Sequence, residues 1–165
     1  MKGKKMIASG IVLTVTAIGQ IIAAILFYDP EGSAARINAG FAVMMVSAIF
    51  GWLPILTFRR KGKVQGRSYM HTTVLVDSGI YAIVRHPQYL AGILLNVALT
   101  LITPHWLVTI LGMAAALVTA LGTYDEEKKC IDKFGQPYME YMQKVPRLNF
   151  ILGIFRALRR KQTDR

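Results

Sequence analysis

Two long apolar runs without a charged residue, 6–27 and 37–58, open the chain. As a helix at about 1.5 Å per residue, each is long enough to cross roughly 30 Å of hydrocarbon. Tyr28-Asp29-Pro30-Glu31-Gly32-Ser33 breaks the pattern between them with turn formers and two acids, which predicts a short loop and a helical hairpin. A third run, 90–102, and a fourth, 107–124, flank Thr103-Pro104-His105-Trp106 and predict a second hairpin. Trp106 suits an interfacial anchor, and His105 beside it a solvated turn. Counted from Pro87, the first arm of this hairpin has about sixteen residues, or about 24 Å, and barely spans. Either it tilts little or its cytoplasmic end is sunk in the bilayer, with His86 and Tyr89 at the interface.

Beyond the fourth run, Asp125-Glu126-Glu127 continues the helix, and Gly135 is placed to stop it. Gln136–Lys144 predicts a short helix with Tyr138 and Tyr141 on one face, broken at Val145-Pro146-Arg147. The apolar segment 148–158 contains Arg156 and leads into Arg159, Arg160 and Lys161, the pattern of an amphipathic helix on the cytoplasmic leaflet. Together these features predict an all-α integral membrane protein of four membrane-embedded helices in two hairpins, with short cytoplasmic C-terminal helices. It forms a single membrane domain: first hairpin 6–58, cytoplasmic loop 59–86, second hairpin 87–124, cytoplasmic helices 125–165.

Composition agrees: 53% of the 165 residues are hydrophobic, high for a soluble domain. Charge adds the topology. A net charge of +11 raises the question of nucleic acid, but the basic residues fall where membrane orientation needs them. Lys2, Lys4 and Lys5 precede the first run, and Arg59, Arg60, Lys61, Lys63 and Arg67 follow the second. Arg36 alone lies between the two. The positive-inside rule then puts both termini in the cytoplasm, with the bilayer as partner and no nucleic acid. A signal peptide is disfavoured because the first run exceeds the ~7–15 residues of a usual apolar region and lacks a clear small-residue cleavage site. The lone Cys130 excludes a disulfide framework within the chain and has no companions at metal-ligand spacing, so no metal is expected. The oligomeric state is not encoded in any of these patterns.

Candidate chemistry concentrates in 75–89, where Tyr81, Arg85, His86, Pro87 and Tyr89 lie between a basic loop and an apolar helix. Pro87 suits the first turn of a helix, whose free N–H groups and dipole favour an anionic group. The hairpin brings this helix start to the same side as Glu126-Glu127. A cationic site then faces a carboxylate site, as a zwitterionic ligand requires. S-adenosylmethionine has that character, and its adenine could stack on Tyr81 or Tyr89. Taken singly, these residues have ordinary readings too: a solvated acidic helix end, an arginine on lipid phosphate, interfacial tyrosines. No G-x-S-x-G, Walker A or G-x-G-x-x-G motif competes.

The pattern Leu75-Val76-x-x-Gly79-x-Tyr81-x-x-x-Arg85-His86-Pro87-x-Tyr89, Glu126-Glu127, Phe134-Gly135-x-x-Tyr138-x-x-Tyr141 and Val145-Pro146-Arg147 resembles the isoprenylcysteine carboxyl methyltransferase and phospholipid methyltransferase superfamily. The resemblance implies a membrane-embedded, S-adenosylmethionine-dependent methyltransferase acting on a lipophilic or small acceptor. It implies cofactor contacts from Thr73, Val74, Leu75 and Val76, from Tyr81, from His86, Pro87, Gln88 and Tyr89, and from Glu126, with Arg85, His86 and Glu127 as catalytic candidates. Two positions depart from the isoprenylcysteine enzymes: Gly122 replaces an acceptor-side Arg, and Thr73 replaces a His, with His71 two residues earlier. The acceptor therefore stays open among a prenylcysteine-type carboxylate, a phospholipid amine and a thiol. A carboxylate needs no base, whereas an amine or thiol must lose a proton, to His86 or a Glu. The segment from Lys129 to Pro146 is also similar to the C-terminal end of the much longer membrane sterol reductases, which keeps a reductase as an alternative. A non-catalytic lipid-binding protein is another.

Overall fold

The computed structural model describes residues 2–61 and 74–163. His71 and Thr73, with the basic Lys63 and Arg67 of the predicted loop, lie outside the described residues. Among those described there are six α-helices and no strand: α1 (Lys2–Leu26), α2 (Ala34–Lys61), α3 (Pro87–Ile102), α4 (Trp106–Phe134), α5 (Gln136–Lys144) and α6 (Phe150–Thr163). A one-turn 3-10 helix, Gly79–Ala82, precedes α3. Three helices are long and apolar enough to cross a membrane, over Ala8–Leu26, Ala34–Lys61 and Trp106–Phe134. α3 is apolar but has only 16 residues.

The chain forms two compact units, each drawn from both halves of the sequence: Met1–Ile49 with Ala91–Gly122, and Phe50–Leu90 with Thr123–Arg165. The first unit buries several polar side chains among small apolar ones such as Ala23, Ala24 and Val108, and leaves large apolar ones exposed. Its exposed residues include Ile11, Val15, Ile18, Ile22 and Ile25 along α1 and Ile110, Met113, Leu117 and Leu121 along α4, spaced as single helix faces. Gln20, Ser47, Asn96, Thr103 and Thr119 are buried. That distribution suits a hydrocarbon solvent, in which helices associate through close packing and interhelical hydrogen bonds. Gln20 Nε2 donates to the Asn96 carbonyl (3.0 Å), Ser47 Oγ to Ala91 (2.8 Å) and Thr103 Oγ1 to Ala24 (3.1 Å). Arg36, the isolated cation, donates to the Leu101 carbonyl (3.0 Å) and so closes the C-terminus of α3. His105 is more than a solvated turn residue. It stacks on Phe27 at 3.7 Å, and its Nδ1 accepts from the Leu107 N–H at 3.3 Å.

The second unit carries the motif residues. Its aromatic core is Tyr138, Tyr141 and Val145 with Leu75, Ile131, Phe134 and Met142 around them. Gly135 terminates α4 at φ +61°, a left-handed conformation open to glycine. The segment between α5 and α6 then runs back along the motif: the Arg85 N–H donates to the Pro146 carbonyl (3.1 Å) and the His86 N–H to the Arg147 carbonyl (3.2 Å). These two bonds set where Arg85 and His86 stand.

Candidate functional site

The second unit encloses an open-mouthed cavity of about 140 Å³, room for about ten water-sized positions and so for far more than a single ion. Motif residues build most of its wall. The Gly79–Ala82 turn supplies Tyr81. Its carbonyl accepts a bond from the Tyr141 hydroxyl (2.6 Å), its ring meets Phe58 edge-on (4.8 Å), and Gly79 makes the turn possible at φ +65°. Burial pushes the Tyr141 and Tyr138 phenols above their ordinary range, so both remain neutral donors.

The start of α3 forms another wall. His86 is its N-cap, with its carbonyl accepting the Leu90 N–H (3.0 Å), and Pro87 is fully buried in the first position. Pro87, Gln88 and Tyr89 line the cavity, so the unsatisfied N–H end of a 16-residue helix borders it. Leu75, Val76, Phe134 and Tyr138 complete the apolar lining, and Glu126 and Cys130 come from α4.

The charge distribution is asymmetric. Glu127 is buried and faces two guanidinium groups and an imidazole: Arg85 Nη2 (3.1 Å) and His86 Nε2 (3.3 Å) reach Oε1, and Arg147 closes a two-pronged pair from Nε (3.0 Å) and Nη2. The Arg147 guanidinium also lies over the Tyr124 ring at 3.7 Å. The bond to Glu127 raises the pKa of Arg147. Burial dominates at His86 and lowers its pKa below the ordinary 6.5 despite the adjacent carboxylate, which leaves the imidazole neutral at pH 7. Arg85 is different. Its side chain is only 8% exposed, yet Nε and Nη1 find no hydrogen-bond partner among the described residues. A buried guanidinium with two orphaned N–H groups is costly unless something else accepts them. Glu126, one helical step from Glu127, lines the cavity and meets Lys129 at 3.7 Å, with both side chains partly exposed.

Of the residues named from sequence, Leu75, Val76, Tyr81, Arg85, His86, Pro87, Gln88, Tyr89 and Glu126 come together around this cavity. Val74 is exposed and does not line it, Thr73 lies outside the described residues, and Glu127 sits behind Arg85 and His86. Five wall residues were not named as site residues: Phe58, Cys130, Phe134, Tyr138 and Tyr141. Arg147 was missed as well, although Val145-Pro146-Arg147 marks a helix break in the sequence; its ion pair with Glu127 depends on the backbone pairing to Arg85 and His86.

Helices long and apolar enough to span a bilayer, and a charged, aromatic-walled cavity within the second unit, are the features of a helical membrane protein. Residues 35–136, well over half of the chain, match the phospholipid methyltransferase family, and the chain belongs to that family, within the superfamily that also holds the isoprenylcysteine carboxyl methyltransferases. It is thus a membrane methyltransferase. No curated protein and no solved structure gives a significant match.

Proposed function

We propose that the cavity binds S-adenosylmethionine and that the enzyme passes its methyl group to the amine of a membrane lipid. The observation that carries the reading is Arg85, nearly buried, with Nε and Nη1 unpartnered among the described residues beside the start of α3. A carboxylate satisfies both those donors and the helix dipole. Glu126 suits the ammonium of the same amino-acid moiety, and Phe58, Tyr81, Tyr89 and Phe134 offer faces for an adenine ring. The residues present therefore fit the molecule, which when bound supplies an electrophilic methyl on a sulfonium.

The chain's own contribution is alignment and exclusion of water. Glu127 fixes Arg85 and His86 and is too fully engaged to act as a base. His86, kept neutral by burial, is the group able to take the proton that an amine must lose. A lipid amine is favoured over a prenylcysteine carboxylate because Gly122 stands where the isoprenylcysteine enzymes carry a carboxylate-orienting Arg, and because the matching family methylates phospholipids. By the positive-inside rule the cavity faces the cytosol, with the acceptor arriving from the bilayer.

The test is transfer of labelled methyl from S-adenosylmethionine into a native lipid extract by the purified protein. Label is expected in an amine headgroup. Arg85→Met should raise KM for the donor about 10–100-fold, the loss of about 1.5–3 kcal/mol from a charged hydrogen bond. Label confined to carboxyl esters, or an Arg85→Met enzyme with unchanged KM, refutes the assignment.

A further inference from the structure

Arg147 touches the candidate site twice without lining its cavity. Its carbonyl accepts the His86 N–H (3.2 Å), next to the bond from the Arg85 N–H to Pro146 (3.1 Å), so this short stretch of backbone sets the positions from which Arg85 and His86 reach out. Its side chain grips Glu127, with Nε donating to Oε1 at 3.0 Å and Nη2 to Oε2. A two-pronged guanidinium fixes the plane of a carboxylate, which a point charge does not. The Tyr124 ring, 3.7 Å away, backs the guanidinium. Glu127 Oε1 is thereby held where Arg85 Nη2 (3.1 Å) and His86 Nε2 (3.3 Å) meet it.

These contacts decide where the proton of the neutral imidazole sits. Guanidinium groups are obligate donors, so with two of them on its oxygens Glu127 acts as the acceptor. A bare Nε2 would set its lone pair against that same oxygen, so Nε2 carries the hydrogen. In a neutral imidazole Nδ1 is then the nitrogen left with a lone pair. The ring is steadied by Tyr89, edge-on at 5.5 Å, and His86 lines the cavity whereas Glu127 does not.

We propose that Arg147 is a positioning residue of the methyl-transfer site, holding Glu127 so that His86 presents Nδ1 as the proton acceptor. The source of the proton rests on the methyl-transfer reading; the tautomer does not. The ammonium of the acceptor lipid gives one proton to Nδ1. The lone pair so freed forms the new N–C bond as the donor's S–C bond breaks, and sulfur keeps that electron pair. The resulting imidazolium keeps its Nε2–H on Glu127 Oε1, so its charge forms against a carboxylate already in place. Arg147 acts on this step only through Glu127 and through the backbone of His86.

The test is the nitrogen-15 magnetic resonance spectrum of the full chain labelled at histidine, with His86→Gln to assign the His86 signals. It is read beside the kinetics of methyl transfer from S-adenosylmethionine into a native lipid extract. The wild type should show His86 as the Nε2–H form alone. Arg147→Met should show both tautomers and lower kcat about 10–100-fold, part of the ~10²–10⁴ that a positioned base supplies, with little change in KM for the donor. Arg147→Lys keeps a charge on Glu127 and should recover part of both. An Nδ1–H form in the wild type, or an Arg147→Met protein whose tautomer or kcat stays as in the wild type, overturns the proposal. The spectrum needs no substrate, so its outcome is separate from that of the methyl-transfer assay. The wild-type spectrum decides the matter if Arg147→Met does not fold.

Discussion

Replacing Glu127 by Gln tests the charge network most severely. The carboxylate is buried and shared by Arg85, His86 and Arg147. Gln keeps the shape and one acceptor but removes the charge, so Arg85, 8% exposed, and Arg147, 26% exposed, confront each other without compensation. Removing one partner of a buried ion pair costs about 3–5 kcal/mol. The residual acceptor and the access of Arg147 to water place this case at the lower end, about 3 kcal/mol. For a chain of this length that corresponds to a fall in Tm of about 6–12 °C. Thermal unfolding of the purified protein in detergent measures it. Arg147→Met leaves Glu127 still facing Arg85 and should cost less, about 1–2 kcal/mol, from the charged hydrogen bonds and the stack on Tyr124. A Glu127→Gln protein melting within about 2 °C of wild type would mean that these pairs behave as solvated surface bridges worth at most about 1 kcal/mol, and the argument would fail.

Further consequences follow from the cavity walls. Because burial lowers the pKa of His86 from 6.5, the unfolded chain binds a proton that the folded one refuses; stability should therefore hold above about pH 6.5 and decline as pH falls below it, until the folded imidazole itself titrates. Chemical denaturation across that window checks the sign, and a decline that persists unchanged in His86→Gln would assign it elsewhere. Tyr141→Phe strands the buried Tyr81 carbonyl and should cost about 1–3 kcal/mol while weakening ligand binding through the displaced Tyr81; a neutral substitution would show that the 2.6 Å bond does not hold the turn. Gly79→Ala forces φ +65° on a residue with a Cβ and brings that atom to 3.3 Å from Thr57, so a loss of about 1–2 kcal/mol is expected in the same unfolding assay.

Much of the helical layout was legible because punctuation residues mark it. Pro87 opens α3, Gly135 closes α4, and α5 occupies Gln136–Lys144, all as the sequence predicts. α6 begins at Phe150 and runs to Thr163, displaced from the predicted 148–158. Asn149 is the reason: its side chain caps the Leu152 N–H at 3.0 Å, a signal that apolar content alone does not weigh. The roles of Glu126 and Glu127 were harder to separate. Adjacent residues on a helix point about 100° apart, so one can line a cavity while the other faces the interior, and helix rotation decides which. That rotation depends on packing, as does the return of residues 145–147 along Arg85 and His86, which turns a motif arginine into a ligand of Glu127. Phe58 was invisible for a similar reason, since it lies at the end of a spanning helix whose apolar residues all look alike in sequence.

The central claim is occupancy of the cavity of the second unit by S-adenosylmethionine. The most direct measurement is thermal stabilisation of the purified protein by S-adenosylmethionine and S-adenosylhomocysteine, with NADPH and a Glu126→Gln variant as controls. At a hundred times Kd, binding stabilises by about 2.7 kcal/mol, a rise in Tm of about 5–11 °C. Both methyl-donor ligands should produce it, NADPH should not, and Glu126→Gln should lose most of it. No shift with either ligand, a shift unchanged in the variant, or a shift with NADPH alone would contradict the account.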